Sequence, residues 1–110
     1  GVQVLGSEFT DSNAQGAART GDSFDVRCTV NTNGLGESLG VELVMYKEKD
    51  GVSTYVGRKD LAVTGHDGDI YHYELKDQMK EAGMFRYSLR MYPKNDRLPH
   101  RQDFAYVRWF

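Results

Sequence analysis

The sequence predicts an all-β fold, a seven-stranded immunoglobulin-like antiparallel β-sandwich. Three observations carry the prediction. Apolar and polar residues alternate along most of the chain, as strands with one buried face require. Asx-Gly dipeptides, which readily take the positive φ angles of tight reversals, punctuate that alternation. The runs between turns are short and regularly spaced within 110 residues, the pattern expected of a sandwich.

The strands read in order as approximately 2–9, 22–32, 39–49, 52–63, 69–75, 84–92 and 103–110. Phe24, Val26, Cys28 and Val30 alternate with Asp25, Arg27 and Thr29, and Phe85, Tyr87, Leu89 and Met91 alternate with Arg86, Ser88 and Arg90. Leu39, Val41, Leu43 and Met45 alternate less cleanly, because Val44 and Tyr46 make the second face apolar too. That strand is expected to be covered on both sides for part of its length. Asp50-Gly51 and Asp67-Gly68 each separate two strand-like runs and predict hairpins, and Asn33-Gly34 marks a third reversal. Residues 75–82 (LKDQMKEA) favour one or two helical turns ended by Gly83, and the small polar stretch 10–20 is expected to be a flexible loop. The shared phase of alternation predicts a core of Phe24, Val26, Val30, Val41, Leu43, Phe85, Tyr87, Leu89, Val107 and Trp109. Phe85, soon after Gly83, takes the place of a tyrosine corner without the hydroxyl.

The length fits one domain, 1–110, able to bury a core without metal or disulfide. No apolar run approaches the roughly 20 residues of a membrane helix. The start lacks a basic region followed by an apolar stretch, and it lacks methionine, as expected of a segment excised from a longer chain. A lone cysteine, Cys28, precludes an intrachain disulfide and fits a cytoplasmic location. The net charge of −2 argues against a dedicated nucleic-acid binder. The charge is unevenly placed. Residues 86–110 hold Arg86, Arg90, Lys94, Arg97, Arg101 and Arg108 against Asp96 and Asp103, or +4, leaving −6 for the first 85 residues.

Few constellations point to chemistry. His66, Asp67, Asp69 and His72 cluster, but they flank a turn that favours polar residues and lack the spacing of zinc or calcium motifs. Cys28 lies in phase with the core, where a thiol is inert. No nucleophile elbow, phosphate loop or dinucleotide fingerprint is present, so the reading assigns no catalytic, cofactor-binding or metal-binding residue. Aromatics make up 12% of the chain, and Tyr55, Tyr71, Tyr73, Tyr92 and Tyr106 are the candidates for stacking a sugar ring.

The last segment carries more specific information. Arg90-Met-Tyr-Pro93 leads through a loop containing Leu98 to a final strand ending Val107-Arg-Trp109-Phe110. This spacing resembles the extreme C-terminus of bacterial α-glucan (maltodextrin or glycogen) phosphorylases. Gly21-Asp-Ser-Phe24-Asp-Val26, Gly34-Leu35-Gly36 before Val41-Glu42-Leu43, and Gly83 before Phe85 and Tyr87 are similar to the family's preceding strands. Asn95 and Glu37-Ser38-Leu39 depart from its pattern. The resemblance implies a non-catalytic accessory sandwich of a cytoplasmic glycosyltransferase. The catalytic residues and lysine-bound pyridoxal phosphate of that enzyme belong to the large upstream domains, so no cofactor is expected in this chain.

Three functions remain open on these grounds. The first is a module packing on the catalytic domains of the same polypeptide, with Arg90, Lys94, Arg97 and Arg101 as the docking cations. The second is a module that binds α-glucan for the parent active site. The third is an unrelated immunoglobulin-like interaction domain.

Overall fold

A computed structural model describes residues 2–11, 19–94 and 107–109, with Asp11 and 107–109 described by backbone alone. The described residues form eight strands: β1 Gln3–Asp11, β2 Ser23–Asn31, β3 Leu39–Lys49, β4 Val52–Asp60, β5 Ala62–Asp67, β6 Ile70–Gln78, β7 Met84–Pro93 and β8 Val107–Trp109. They make two antiparallel four-stranded sheets, ordered β1-β2-β6-β5 and β4-β3-β7-β8. The inward rows of both sheets share one buried cluster: Phe24, Val26, Cys28, Val30, Tyr71 and Tyr73 from the first, Val41, Leu43, Tyr87, Leu89 and Met91 from the second. Phe9 of β1 reaches across to Tyr87 with ring centroids 4.4 Å apart, and the Tyr73 hydroxyl donates to the Leu39 carbonyl at 3.0 Å. The predicted sandwich is therefore the observed architecture.

The run read as one strand at 52–63 supplies two strands, so seven sequence runs become eight. Asp60 ends pairing with β3, Leu61 is buried with its N–H donating to the Val41 carbonyl, and the chain resumes as β5 in the opposite sheet. A single apolar anchor at a sheet corner is enough to bend an otherwise continuous strand pattern. Asp50 and Gly51, with φ of 53° and 78°, form the two-residue loop between β3 and β4 as predicted, since that reversal needs positive φ at both positions. Between β5 and β6 the loop residues are Gly68 and Asp69, while Asp67 remains in the ladder opposite Ile70.

The helix expected at 75–82 is absent. β6 continues as strand through Gln78, pairing Leu75 with Val26, Asp77 with Phe24 and Gln78 with Ser23. Local helix preference here is worth at most a few tenths of a kcal/mol per residue, and eight residues are too few for a stable isolated helix. Ladder bonds to β2, together with buried Met79, outweigh it; the Met79 N–H donates to the Asp22 carbonyl at 2.7 Å. The loop expected at 10–20 also starts later, because Thr10 and Asp11 pair with Asp25 and Phe24. Residues 12–18 lie outside the described residues.

Of the predicted core, Phe24, Val26, Val30, Val41, Leu43, Tyr87 and Leu89 are buried, and Phe85 is half-buried against the cluster. The side chains of Val107 and Trp109 lie outside the described residues. The dual coverage expected of β3 is present: Glu42 and Val44, on its outward row, are each 2% exposed.

Candidate functional site

The two outer faces of the sandwich differ in chemistry because the outward residues of their strands differ. On the first sheet, Arg27 stands between three carboxylates: Glu74 at 2.8 Å, Asp25 at 3.2 Å and Glu8 at 4.0 Å. Cross-strand register explains the cluster, since Arg27 faces Glu8 on β1 and Glu74 on β6. The Arg27 side chain is 57% exposed, so these contacts set geometry more than stability. Next to them Thr29 Oγ1 lies 3.1 Å from His72 Nδ1. Glu8, Arg27, Thr29, Thr64, His72 and Glu74 line a trough of about 650 Å³ across this face.

On the second sheet the outward row of β3 meets that of β7. Tyr46 lies opposite Arg86, Glu42 opposite Arg90, and Glu48 opposite Met84. β4 adds Tyr55 opposite Tyr46 and Arg58 opposite Val44. Arg86 Nε is 3.5 Å from Glu48 Oε1, which also accepts from the Ser53 hydroxyl at 2.7 Å. Arg58 Nε approaches the buried Glu42 at 3.9 Å. Tyr55 and Met84 are 56% and 50% exposed, so one half of this face presents tyrosine, methionine and arginine to solvent. Its other half is covered, and the Tyr92 ring lies over Gly40, where a Cβ would sit 2.4 Å from the ring.

These positions correct the sugar-stacking set. Tyr71 and Tyr73 are buried, because they share the inward phase of β6 while His72 and Glu74 take the outward one. Burial pushes the Tyr73 phenol up to about 12. Tyr92 faces outward but is also buried, and its hydroxyl donates to Asp60 Oδ1 at 2.7 Å. Tyr55 remains exposed, yet it meets Tyr46 edge-on, with ring planes 72° apart, whereas stacking a glucan needs parallel rings. Tyr106 lies outside the described residues.

Of the docking cations, Arg90 is half-buried on β7 and Lys94 is exposed one residue beyond that strand; its N–H donates to the Ser38 carbonyl. Arg97 and Arg101 lie outside the described residues. The structure thus brings Arg86 and Arg90 into one column on the face that carries Tyr55 and Met84, and Arg58 joins them from β4. Sequence reading placed Tyr46 on the second face of β3 but missed Arg58 beside it, since that requires the β3–β4 register, which a bulge between Met45 and Tyr46 shifts by one residue.

His66 stacks on Tyr71, with centroids 4.6 Å apart and planes 9° apart, and among the described residues no three metal-ligating side chains converge. Burial pushes the Cys28 thiol up to about 11, which leaves it protonated at neutral pH. Among the described residues no helix is long and apolar enough to cross a membrane.

Comparison with known proteins adds the family. A search of curated proteins found no match. A family model describing the glycogen phosphorylase C-terminal domain matches residues 1–110. The matched span is the whole chain, including the Arg90–Trp109 segment. The chain belongs to the glycogen phosphorylase C-terminal domain family.

Proposed function

We propose that this domain is a non-catalytic accessory module of a cytoplasmic α-glucan phosphorylase-like enzyme and that it packs on the catalytic domains of the same polypeptide. The observation that carries this reading is the exposed half of the second sheet's outer face, where Tyr55, Met84, Arg58 and Arg86 stand together. Tyrosine, methionine and arginine are the residue types enriched in protein interfaces, and arginine pairs with carboxylates in two-pronged fashion. Arg90 and Lys94 extend the cationic column toward the segment holding Arg97 and Arg101. The protonated Cys28 thiol supports a role without covalent catalysis. Pyridoxal phosphate and the reacting sugar are held, on this reading, by the other domains of the enzyme.

The test is charge reversal at Arg86, alone and combined with Arg97→Glu and Arg101→Glu, in the full-length enzyme and in this domain by itself. Docking predicts that the enzyme loses thermal stability by several degrees while the isolated domain changes little. Equal behaviour of both proteins would refute it.

A second reading, glucan binding, is favoured by the trough on the first sheet. An arginine set between carboxylates beside hydroxyl and imidazole groups presents donors and acceptors to sugar hydroxyls. Retardation of the domain by glycogen in a native gel, abolished by Arg27→Ala, would establish it.

A further inference from the structure

Among the described residues, one corner of the sandwich is left open by the path of the chain. Among the described residues β4 is the terminal strand of its sheet, so one row of its backbone groups faces no described strand. In the opposite sheet β5 pairs with β6 only as far as Ala62 with Glu74, while β6 continues to Gln78. Among the described residues its last four therefore also pair with no strand on that side. Both vacancies have one cause, the crossing of the chain from one sheet to the other at Leu61.

Between the two free edges lies a crevice of about 320 Å³ with an apolar floor of Phe24, Met45, Met79 and Phe85. It exists because position 57, opposite Met45 on the inward row of β4, is glycine, and nothing lies within 4 Å of where its Cβ would be. Val56 stands at the mouth, 38% exposed. The charged residues of the lining are Arg58, Lys59, Lys80 and Glu81, three cations to one anion. Lys59 bridges the sheets to Asp77, and Glu81 is paired with Lys47 at 3.3 Å. Burial first, and the Lys80 charge second, lower the Lys59 pKa from its ordinary value. Unpaired edges of this kind are normally blunted by charge or by a covering loop; on β4 the charges sit at Arg58, Lys59 and Asp60, while Val52, Tyr55 and Val56 leave the first half of the edge apolar.

We propose that this corner is a docking groove for an extended acidic polypeptide segment, which adds as a strand to β4 and places one apolar side chain in the crevice. Strand addition satisfies the free backbone row, the crevice selects a single apolar residue, and the cationic rim selects flanking carboxylates. The crevice is at the small end of the range for ligand pockets, which suits one side chain. The groove adjoins the Tyr55–Arg86 face and shares Arg58 with it, but its apolar floor and Lys80 are not part of that face, and the proposal does not depend on docking there.

The probe is a blocked heptapeptide, Glu-Val-Glu-Phe-Glu-Val-Glu, titrated into the 110-residue chain and followed by amide NMR and hydrogen exchange. A second peptide carries lysine in place of each glutamate. The groove predicts shifts confined to residues 52–60 and 75–85, slowed exchange along β4, and no binding of the lysine peptide. Lys80→Glu, at an exposed site, should weaken binding by roughly fivefold through charge reversal. Gly57→Leu should abolish it by filling the crevice, and Lys80→Glu decides the matter if that variant does not fold. Shifts elsewhere, equal binding of both peptides, or no shifts at millimolar peptide would overturn the proposal. Shifts with decanoate in the absence of peptide binding would overturn it in favour of a small amphiphile.

Discussion

Truncating Leu89 to alanine tests the packing on which every surface described here depends. Leu89 is fully buried on β7, opposite Leu43 of β3 on one side and Arg108 of β8 on the other. Leu→Ala removes three carbons from water-free surroundings, worth about 2 kcal/mol of transfer free energy at roughly 0.8 per methylene. A residual cavity of about 40–80 Å³ adds about 1–2 kcal/mol, because neighbours on paired strands collapse only partly. The expected cost is therefore about 3–4 kcal/mol, a large share of the roughly 5–15 kcal/mol available to a domain of this kind. In urea denaturation with a slope near ~1.5 kcal/mol/M, the midpoint should fall by about 2 M with the slope unchanged. Val52→Ala, at a residue 61% exposed on a hairpin flank, should move the midpoint by under about 0.5 kcal/mol equivalent. A Leu89→Ala midpoint within error of the Val52→Ala value would refute the assignment of the inward row.

Gly40→Ala should destabilise by about 1–3 kcal/mol, because the new methyl would meet the Tyr92 ring at 2.4–2.7 Å; most of that loss should vanish in a Tyr92→Ala background when both variants are compared by urea denaturation. Stability should fall at alkaline pH. The folded Cys28 thiol holds its proton up to about 11, against 9.0 ordinarily, so the unfolded chain releases a proton first and folding weakens as pH rises above that lower value. By pH ~10.5 the loss from this thiol should reach about 2 kcal/mol, read as a smaller loss in Cys28→Ala than in the unaltered chain. Purified alone, the domain should release no glucose 1-phosphate from maltodextrin with or without added pyridoxal phosphate; release proportional to protein and absent from a mock preparation would contradict a non-catalytic role.

The parts of the fold legible in the sequence are those specified by two-residue alternation within one strand. β2 and β7 show their buried rows directly, and the extra apolar residues Val44 and Tyr46 correctly mark β3 as covered beyond one face. What escaped depends on partners distant in sequence. The tail of β6 reads as helix because Leu75–Gln78 contains good helix formers, and only the ladder to Ser23–Val26 makes it strand. Tyr92 stands in the same phase as Arg90, so its burial follows from Gly40 on another strand rather than from its own neighbours. Tyr71 and Tyr73, read from the sequence as sugar-stacking candidates, point inward by the same alternation, with polar His72 and Glu74 facing outward. The crevice was not, since it requires the β3–β4 bulge to bring Gly57 opposite Met45.

The most direct test of the accessory-module account is association in trans. The phosphorylase-like enzyme lacking this domain is mixed with the separately purified domain and followed by sedimentation velocity, with its thermal midpoint recorded. The account predicts a one-to-one complex whose midpoint approaches that of the intact enzyme, weakened by Arg86→Glu in the added domain. Independent sedimentation of the two pieces, with an unchanged midpoint and a domain retarded by glycogen, would contradict it.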